Sequence, residues 1–537
     1  MKKLLLGNEA LAQGAIDSGI SGVYAYPGTP STEITEYIQH SKIATELNIH
    51  SQWSVNEKTA MEAALGMSYA GKRAMTVMKH VGLNVAADVF MNMSVSGING
   101  GLVVVVADDP SMHSSQNEQD SRYYGKFAMI PILEPSNQQE CYEITKYAFD
   151  LSEKLSLPVL IRMVTRLSHS RAGILTSERV EQNQIHLPKN KHQFQLIPVH
   201  ARGRYKHLVD IQPDILEISE NSYFNEFKEG SNTSIGIIAS GIAYNYLMEN
   251  FDGEECPYPV LKISQYPIPK KPVKKLLETC KKVLVLEDGY PFIEEAISDF
   301  LNENKNVIGR LSGDIPRVGE LNPDNIANAL GFDIVINETI PKVVNGRPPE
   351  LCVGCGHRDL FDAVNTLGKE MESQQVFGDI GCSALGALTP YQSINTLIDM
   401  GASITMAKGA ADAGIHPSIA IIGDSTFTHS GMTGLLDAVF ENSPITVIIS
   451  DNSAIAMTGA QESSAVGRLH NICLGLGVHP DHLKKMIPLK KNHDENVALL
   501  RNELKYKGVS VIIAERACVR LSRDQKEEIK AKIASLS

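Results

Sequence analysis

The alternation of apolar and polar positions divides the chain into three α/β stretches. In the first third, short β-branched or apolar runs alternate with amphipathic segments, and Gly and Pro separate them. That rhythm predicts βα units in a parallel sheet. Gly22–Tyr26 predicts a strand followed by the turn Pro27–Pro30, and Glu57–Tyr69 a helix with small residues on one face. Strands follow over Ala74–Met78 and over Gly101–Ala107, whose unbroken apolar run is typical of a strand buried on both faces. Leu157–Met163 is the last strand expected in this region. From about 180 to 232 the pattern gives way to His, Lys, Asn and Gln, which predicts a linker or excursion. A second α/β stretch has strands at Ser234–Ala239, Pro259–Ile263 and Lys282–Glu287, with helices from Ala243 and over Val273–Cys280. A Pro- and Asn-rich stretch at 341–350 precedes the third, in which Ser418–Ile422 and Ile445–Ile449 flank a helix through Leu435 and Ala438. The expected division is 1–185, a linker or excursion over 186–232, a middle α/β domain over 233–340, and a last domain over 341–537.

Composition narrows the classes. The 537 residues are 43% hydrophobic and 21% charged, with 41 Gly and 25 Pro spread along the chain, a globular profile with room for several cores. Acidic residues outnumber basic ones for a formal charge of -12, and no basic run could track a phosphate backbone, so nucleic acid is excluded as a partner. No segment approaches ~18 uninterrupted apolar residues, which excludes a membrane span. The opening apolar run stops after three leucines and meets Glu9, unlike a secretory signal, so the expected compartment is the cytoplasm. There the eight cysteines read as free thiols or metal ligands. Cys352, Cys355 and Cys382 are grouped, whereas Cys473 and Cys518 stand alone near the end.

The strongest chemical signal is Gly423-Asp424-Ser425 after one strand and Asp451-Asn452-Ser453 after the next. Asp424 and Asn452 lie 28 positions apart, the reach of one β-α-β crossover, so a carboxylate and an amide oxygen can meet at one carboxyl-end crevice. Hard oxygen ligands of that kind suit Mg²⁺, and Gly423 lets a phosphate approach the backbone. Two ordinary strand-end turns would look the same.

This spacing resembles the Gly-Asp-Gly to Asn motif of thiamine diphosphate enzymes, with Ser425 in place of the second Gly. The resemblance implies that Mg²⁺ takes Asp424, Asn452 and the backbone carbonyl of Ala454, with Gly381, Gly423 and Ser425 against the cofactor. It also implies a Glu on another domain that hydrogen-bonds the cofactor's aminopyrimidine. Glu57 fits that part, although a carboxylate in the first turn of a helix is also favoured by the helix dipole alone.

Further segments resemble the 2-oxoacid:ferredoxin oxidoreductases, and among them the α subunits of the indolepyruvate branch. They are Tyr26–Ser31, Asn56–Lys58, Met78–Asn84, Ala107–Pro110, Met112–Arg122, Leu351–His357 and Gly378–Cys382, in the family's order along nearly the whole chain. The resemblance implies doubly wound parallel sheets in a pyrimidine domain and a diphosphate domain, with a middle domain like the transketolase C-terminal one. It places Thr29 and Arg122 against the 2-oxoacid, where an Arg fork suits a carboxylate. Lys79 and His80 would stand at the same crevice, His80 with an equal claim to be a packed structural histidine, and Asn84 and His113 are weaker candidates. Cys352, Cys355, Cys382 and Cys518 are implied as ligands of a [4Fe-4S] cluster, though thiolates suit zinc equally well. Coenzyme A, a ferredoxin or similar acceptor, a smaller subunit and homodimerisation are the implied partners.

The family's ferredoxin-like run of Cys-x2-Cys-x2-Cys-x3-Cys-Pro is missing beyond Cys382. That departure keeps two other readings open: a non-oxidative decarboxylase or carboligase, and a non-catalytic scaffold. The joint presence of Glu57, Asp424 and Asn452 speaks against the scaffold.

Overall fold

The computed structural model describes residues 2–251, 253–298, 306–333, 343–344, 346, 348–371 and 374–536. It divides into two units, Met1–Glu338 and Thr339–Ser537. The boundary stretch expected at 341–350 lies partly outside the described residues.

The first unit is built on a seven-stranded sheet. Its order is Gln265–Tyr266, Ile132–Leu133, Val159–Val164, Leu102–Asp108, Ala74–Lys79, Gly22–Ala25 and His50–Trp53. Six strands run parallel, and every residue of the central Leu102–Asp108 is buried, as its apolar run predicts. Each such Val or Leu contributes about 1.5–3 kcal/mol by leaving water. Ala74 pairs with Leu102 and Lys79 with Ala107, so Lys79 and Asp108 emerge at one edge. The helix Glu57–Tyr69 starts where Asn56 accepts the Thr59 N–H at 2.9 Å, and it packs Ala60, Ala64 and Ser68 inward.

A second, five-stranded sheet in this unit has the order Val307–Ile308, Val283–Leu286, Gly236–Ser240, Val260–Ile263 and Glu226–Lys228. Two features differ from the sequence-based division. The region 186–232 is not a bare linker: it contains the helices Pro198–Asp210 and Gln212–Glu220, and Glu226–Lys228 is an antiparallel edge of the second sheet. The apolar stripe of the two helices is sparse, and of their apolar residues only Leu208 and Ile215 bury fully, against Leu157, so the helical period is hidden among polar residues. In addition, Gln265–Tyr266 leaves the middle region to pair with Ile132–Leu133 of the first sheet.

The second unit has five parallel strands in the order Gln375–Gly378, Ser418–Gly423, Ile445–Asp451, Ser510–Glu515 and Leu483–Met486. Gly423 pairs with Ser450, so Asp424 and the Asp451-Asn452 pair leave neighbouring strands at the same end. The helix Met432–Phe440 provides the crossover. Among the described residues, no helix is long and apolar enough to cross a membrane.

Candidate active site

In the second unit the carboxyl ends of three adjacent strands carry the predicted diphosphate and metal residues. Asp424 is buried, and its Oδ2 has no hydrogen-bond partner. Burial, reinforced by the charge of Asp451, pushes its carboxyl well above the usual range. A buried carboxylate left in this condition is costly unless a cation or donor meets it. The side-chain oxygen of Asn452 accepts the Ala454 N–H at 3.1 Å, which orders the turn carrying two of the three expected ligands, Asn452 and the Ala454 carbonyl. A Cβ placed on Gly423 or Gly381 would meet nothing closer than Thr426 Oγ1 at 3.8 Å, so open space lies beside both, and Gly381 has φ +124°. Ser425 follows Asp424 in the short helix Asp424–Thr426, and the Thr426 hydroxyl donates to the Ile380 carbonyl at 3.0 Å.

Asp379 is a part that sequence reasoning passed over. Its carboxylate accepts the N–H groups of Ile380 and Gly401, both at 2.9 Å, and of Ser403 at 3.1 Å, while burial raises it to about 6. It therefore holds together the loop that carries Gly381. The signal was available, because Gly378-Asp379 repeats at one strand end the dipeptide Gly423-Asp424 at the next.

All four predicted cysteines line one cavity of about 250 Å³, and Asn452 lines it too. The Cys518 N–H donates to the Asn452 carbonyl and the Arg516 N–H to the Asp451 carbonyl, both at 2.9 Å, so the last cysteine is stitched to the metal turn. Arg520 donates through Nε to Cys352 Sγ and through its backbone N–H to Cys518 Sγ, each at 3.4 Å. Burial pushes the Cys382 thiol up to about 12 and His357 down to about 4, leaving that imidazole neutral. As the side chains stand, no three His, Cys, Asp or Glu groups among the described residues are gathered closely enough to hold an ion. Cys473 is buried in the apolar core of this unit.

In the first unit the expected catalytic groups occupy the carboxyl edge of the seven-stranded sheet. Glu57 is buried, and a Cβ on Gly82 would fall 2.6 Å from its Oε1, so that glycine makes room for the carboxylate. Lys79 packs its stem on Gly28 and donates to the Ser114 carbonyl at 3.0 Å, and burial lowers its ammonium to about 8. Thr29 is half-buried, and its carbonyl accepts the Ser114 hydroxyl at 3.3 Å. His80 is buried with Nε2 3.1 Å from the Asn117 carbonyl, and its Nδ1 has no partner. Asp109 ties this loop down by accepting from Ser114, Ser115 and Thr165.

Arg122 is placed differently from its expected role. It is fully buried, paired with Asp120 at 2.5 Å and Glu287 at 2.9 Å, and it donates to the Tyr290 carbonyl at 2.9 Å. With Arg162 and Glu134 it forms an internal ion network that joins the two sheets of the first unit. A fork whose donors are committed to protein carboxylates and a carbonyl is a structural clamp with no donor left for a substrate carboxylate. Sequence alone could not separate the two uses, since the partner Glu287 lies far along the chain. Asn84 accepts the Tyr124 hydroxyl at 2.6 Å, and His113 pairs with Glu320 at 2.9 Å.

Comparison with known proteins fits this geometry. The family profile for pyruvate flavodoxin/ferredoxin oxidoreductase, thiamine diphosphate-binding, matches residues 13–216, and that of the C-terminal thiamine pyrophosphate-binding domain matches 379–512. The indolepyruvate oxidoreductase subunit IorA of Archaeoglobus fulgidus is 37% identical, with 98% of this chain and 88% of the relative aligned. The chain belongs to the IorA family. The IorA subunit of Methanothermobacter thermautotrophicus is 39% identical over 86% of this chain and 76% of its own length. A solved 2-oxoglutarate:ferredoxin oxidoreductase from Magnetococcus marinus aligns at 19% identity and TM-score 0.49, over 62% of this chain and 65% of that one. As an IorA family member, the protein is a thiamine diphosphate-dependent enzyme of oxidative 2-oxoacid decarboxylation.

Proposed function

We propose that this chain is the catalytic subunit of an enzyme that oxidatively decarboxylates an arylpyruvate-like 2-oxoacid of the indolepyruvate type. The acyl group passes to coenzyme A, and the electrons leave through a [4Fe-4S] cluster to ferredoxin or a similar acceptor. The substrate class follows the names of the relatives, and the word subunit in those names supports a smaller partner chain. The observation that carries the oxidative reading is the shared cavity, in which the four thiols and Asn452 line one space. All eight cysteines are free, which suits a reducing compartment such as the cytoplasm.

Thiamine diphosphate, when bound, supplies a nucleophilic carbon and an electron sink for decarboxylation. Asp424, Asn452 and the Ala454 carbonyl would hold Mg²⁺, and the unpartnered Asp424 Oδ2 is the donor that most needs it. Gly381 and Gly423 leave room beside the backbone for phosphate oxygens. Glu57 is buried where it can hold or release a proton at its carboxyl oxygens, with Gly82 clearing the space it occupies. Lys79, charged below about pH 8, presents a cation to an incoming carboxylate beside Thr29. Cys352, Cys355, Cys382 and Cys518 offer four soft donors that iron-sulfur chemistry accepts, and zinc would use them too.

The deciding experiment is metal and spectroscopic analysis of anaerobically purified protein. The proposal expects about four irons per chain with absorbance lost in each of the four Cys→Ser variants but kept in Cys473→Ser. Stoichiometric zinc, or no metal besides Mg²⁺, would leave a non-oxidative decarboxylase in its place.

A further inference from the structure

Away from the carboxyl edge, the first unit contains a cavity of about 470 Å³ between the helix Arg122–Ala128 and the helix Lys270–Thr279. Ligand pockets commonly run from about 300 to 1,000 Å³. Its interior is apolar and aromatic: Tyr266 and Phe292 meet edge to face with ring centres 5.6 Å apart, and Ile132 and Val273 stand beside them. Among the described residues nothing acidic lines it, although the chain is acidic overall. Lys126, Lys270 and Lys274 line it instead, all three exposed. The Lys126 ammonium lies 5.5 Å from the Phe292 ring centre. Neither Lys126 nor Lys270 forms an ion pair among the described residues.

We propose that this cavity is a second, non-catalytic binding site for an aromatic monocarboxylate, its ring in the interior against Tyr266 and Phe292 and its carboxylate at the lysines. A neutral apolar guest would leave the cations unmatched, and a simple anion such as phosphate would leave the aromatic interior unfilled. Charge and shape together require an anion on an apolar body. The site rests on this cavity alone and stands whichever 2-oxoacid the enzyme consumes. Its interior is also coupled to the clamp: the Tyr266 hydroxyl donates to Glu134 at 2.5 Å, and the Arg122 guanidinium lies 5.1 Å from the Phe292 ring centre.

The test uses the full chain and 1-naphthylacetate as probe, followed by calorimetry and by naphthyl fluorescence. Saturable binding of one equivalent is expected, with the uncharged 1-naphthylacetamide at least about tenfold weaker. The double variant Lys126→Glu, Lys270→Glu should weaken the acid by a similar factor and leave the amide unchanged. Ala296→Trp, which fills the cavity from an exposed lining position, should abolish binding of both. Equal affinity for acid and amide, unaltered binding in the double variant and in Ala296→Trp, or no saturable binding at all would each overturn the proposal. The catalytic residues remain intact in every variant, so binding that survives Ala296→Trp reports the active site and counts against a second one.

Discussion

Gly82 offers a sharp test of how Glu57 is held. A Cβ at this position would lie 2.6 Å from Glu57 Oε1, 2.7 Å from Cγ and 2.9 Å from Cδ. Carbon atoms in contact prefer about 3.5–4.0 Å, so Gly82→Ala asks the Glu57 side chain to move by roughly 1 Å. A displacement of that size in a catalytic group costs about 10² in rate. Stability should change little, because Ala gains about 1 kcal/mol of helix propensity over Gly while local overpacking costs about 1–3 kcal/mol. The expected outcome is a folded protein that binds thiamine diphosphate but exchanges its C2 proton for deuterium about 10² more slowly, read by NMR after acid quench. Glu57→Gln should give a loss of the same order. Gly66→Ala is the control: it lies in the same helix as Glu57, and a Cβ there meets nothing within 4 Å, so exchange should be unaffected. Wild-type exchange in folded Gly82→Ala and Glu57→Gln would refute the assignment of Glu57.

Three other outcomes are expected. Asp424→Asn removes the carboxylate expected to hold Mg²⁺, so the thermal shift given by thiamine diphosphate with Mg²⁺ should disappear; a wild-type shift would remove Asp424 from the metal site. Burial raises Glu287 to about 7 and Asp288 to about 6, so the folded state holds their protons more tightly than the unfolded chain. The stability they contribute is complete below the ordinary carboxylate range and is lost as pH rises toward about 7. Thermal melts from pH 5 to 8 should show this decline, and Glu287→Gln should flatten it. Cys382→Ser, read by absorbance and by electron transfer to a dye, should lose both yet keep its thiamine diphosphate affinity; unchanged absorbance would exclude Cys382 as a cluster ligand.

The sequence expresses some parts of this molecule more plainly than others, and the reason is physical. Asp424 and Asn452 were legible because a parallel crossover has a narrow range of lengths, so their spacing alone aligns two strand ends, and Gly423 indeed pairs with Ser450. The helix Glu57–Tyr69 was legible because its small-residue stripe is a local feature, while its Asn56 cap emerges only in the structure. The helices within 186–232 were not, because two buried apolar positions cannot mark a period among so many polar ones.

Arg122 marks the deeper limit. A guanidinium aimed at a substrate and one clamped between two sheets carry the same letter in the same motif, and what separates them is the position of Glu287, 165 residues later. Gly82 is the converse case: no chemistry is written in a glycine, and its role exists only because Glu57 happens to approach it. Local periodicity and spacing therefore identify which groups can react. Whether a given group is free to react is decided by contacts between distant segments, and the ion network around Arg122 shows that a buried charge can be fully committed before any substrate arrives.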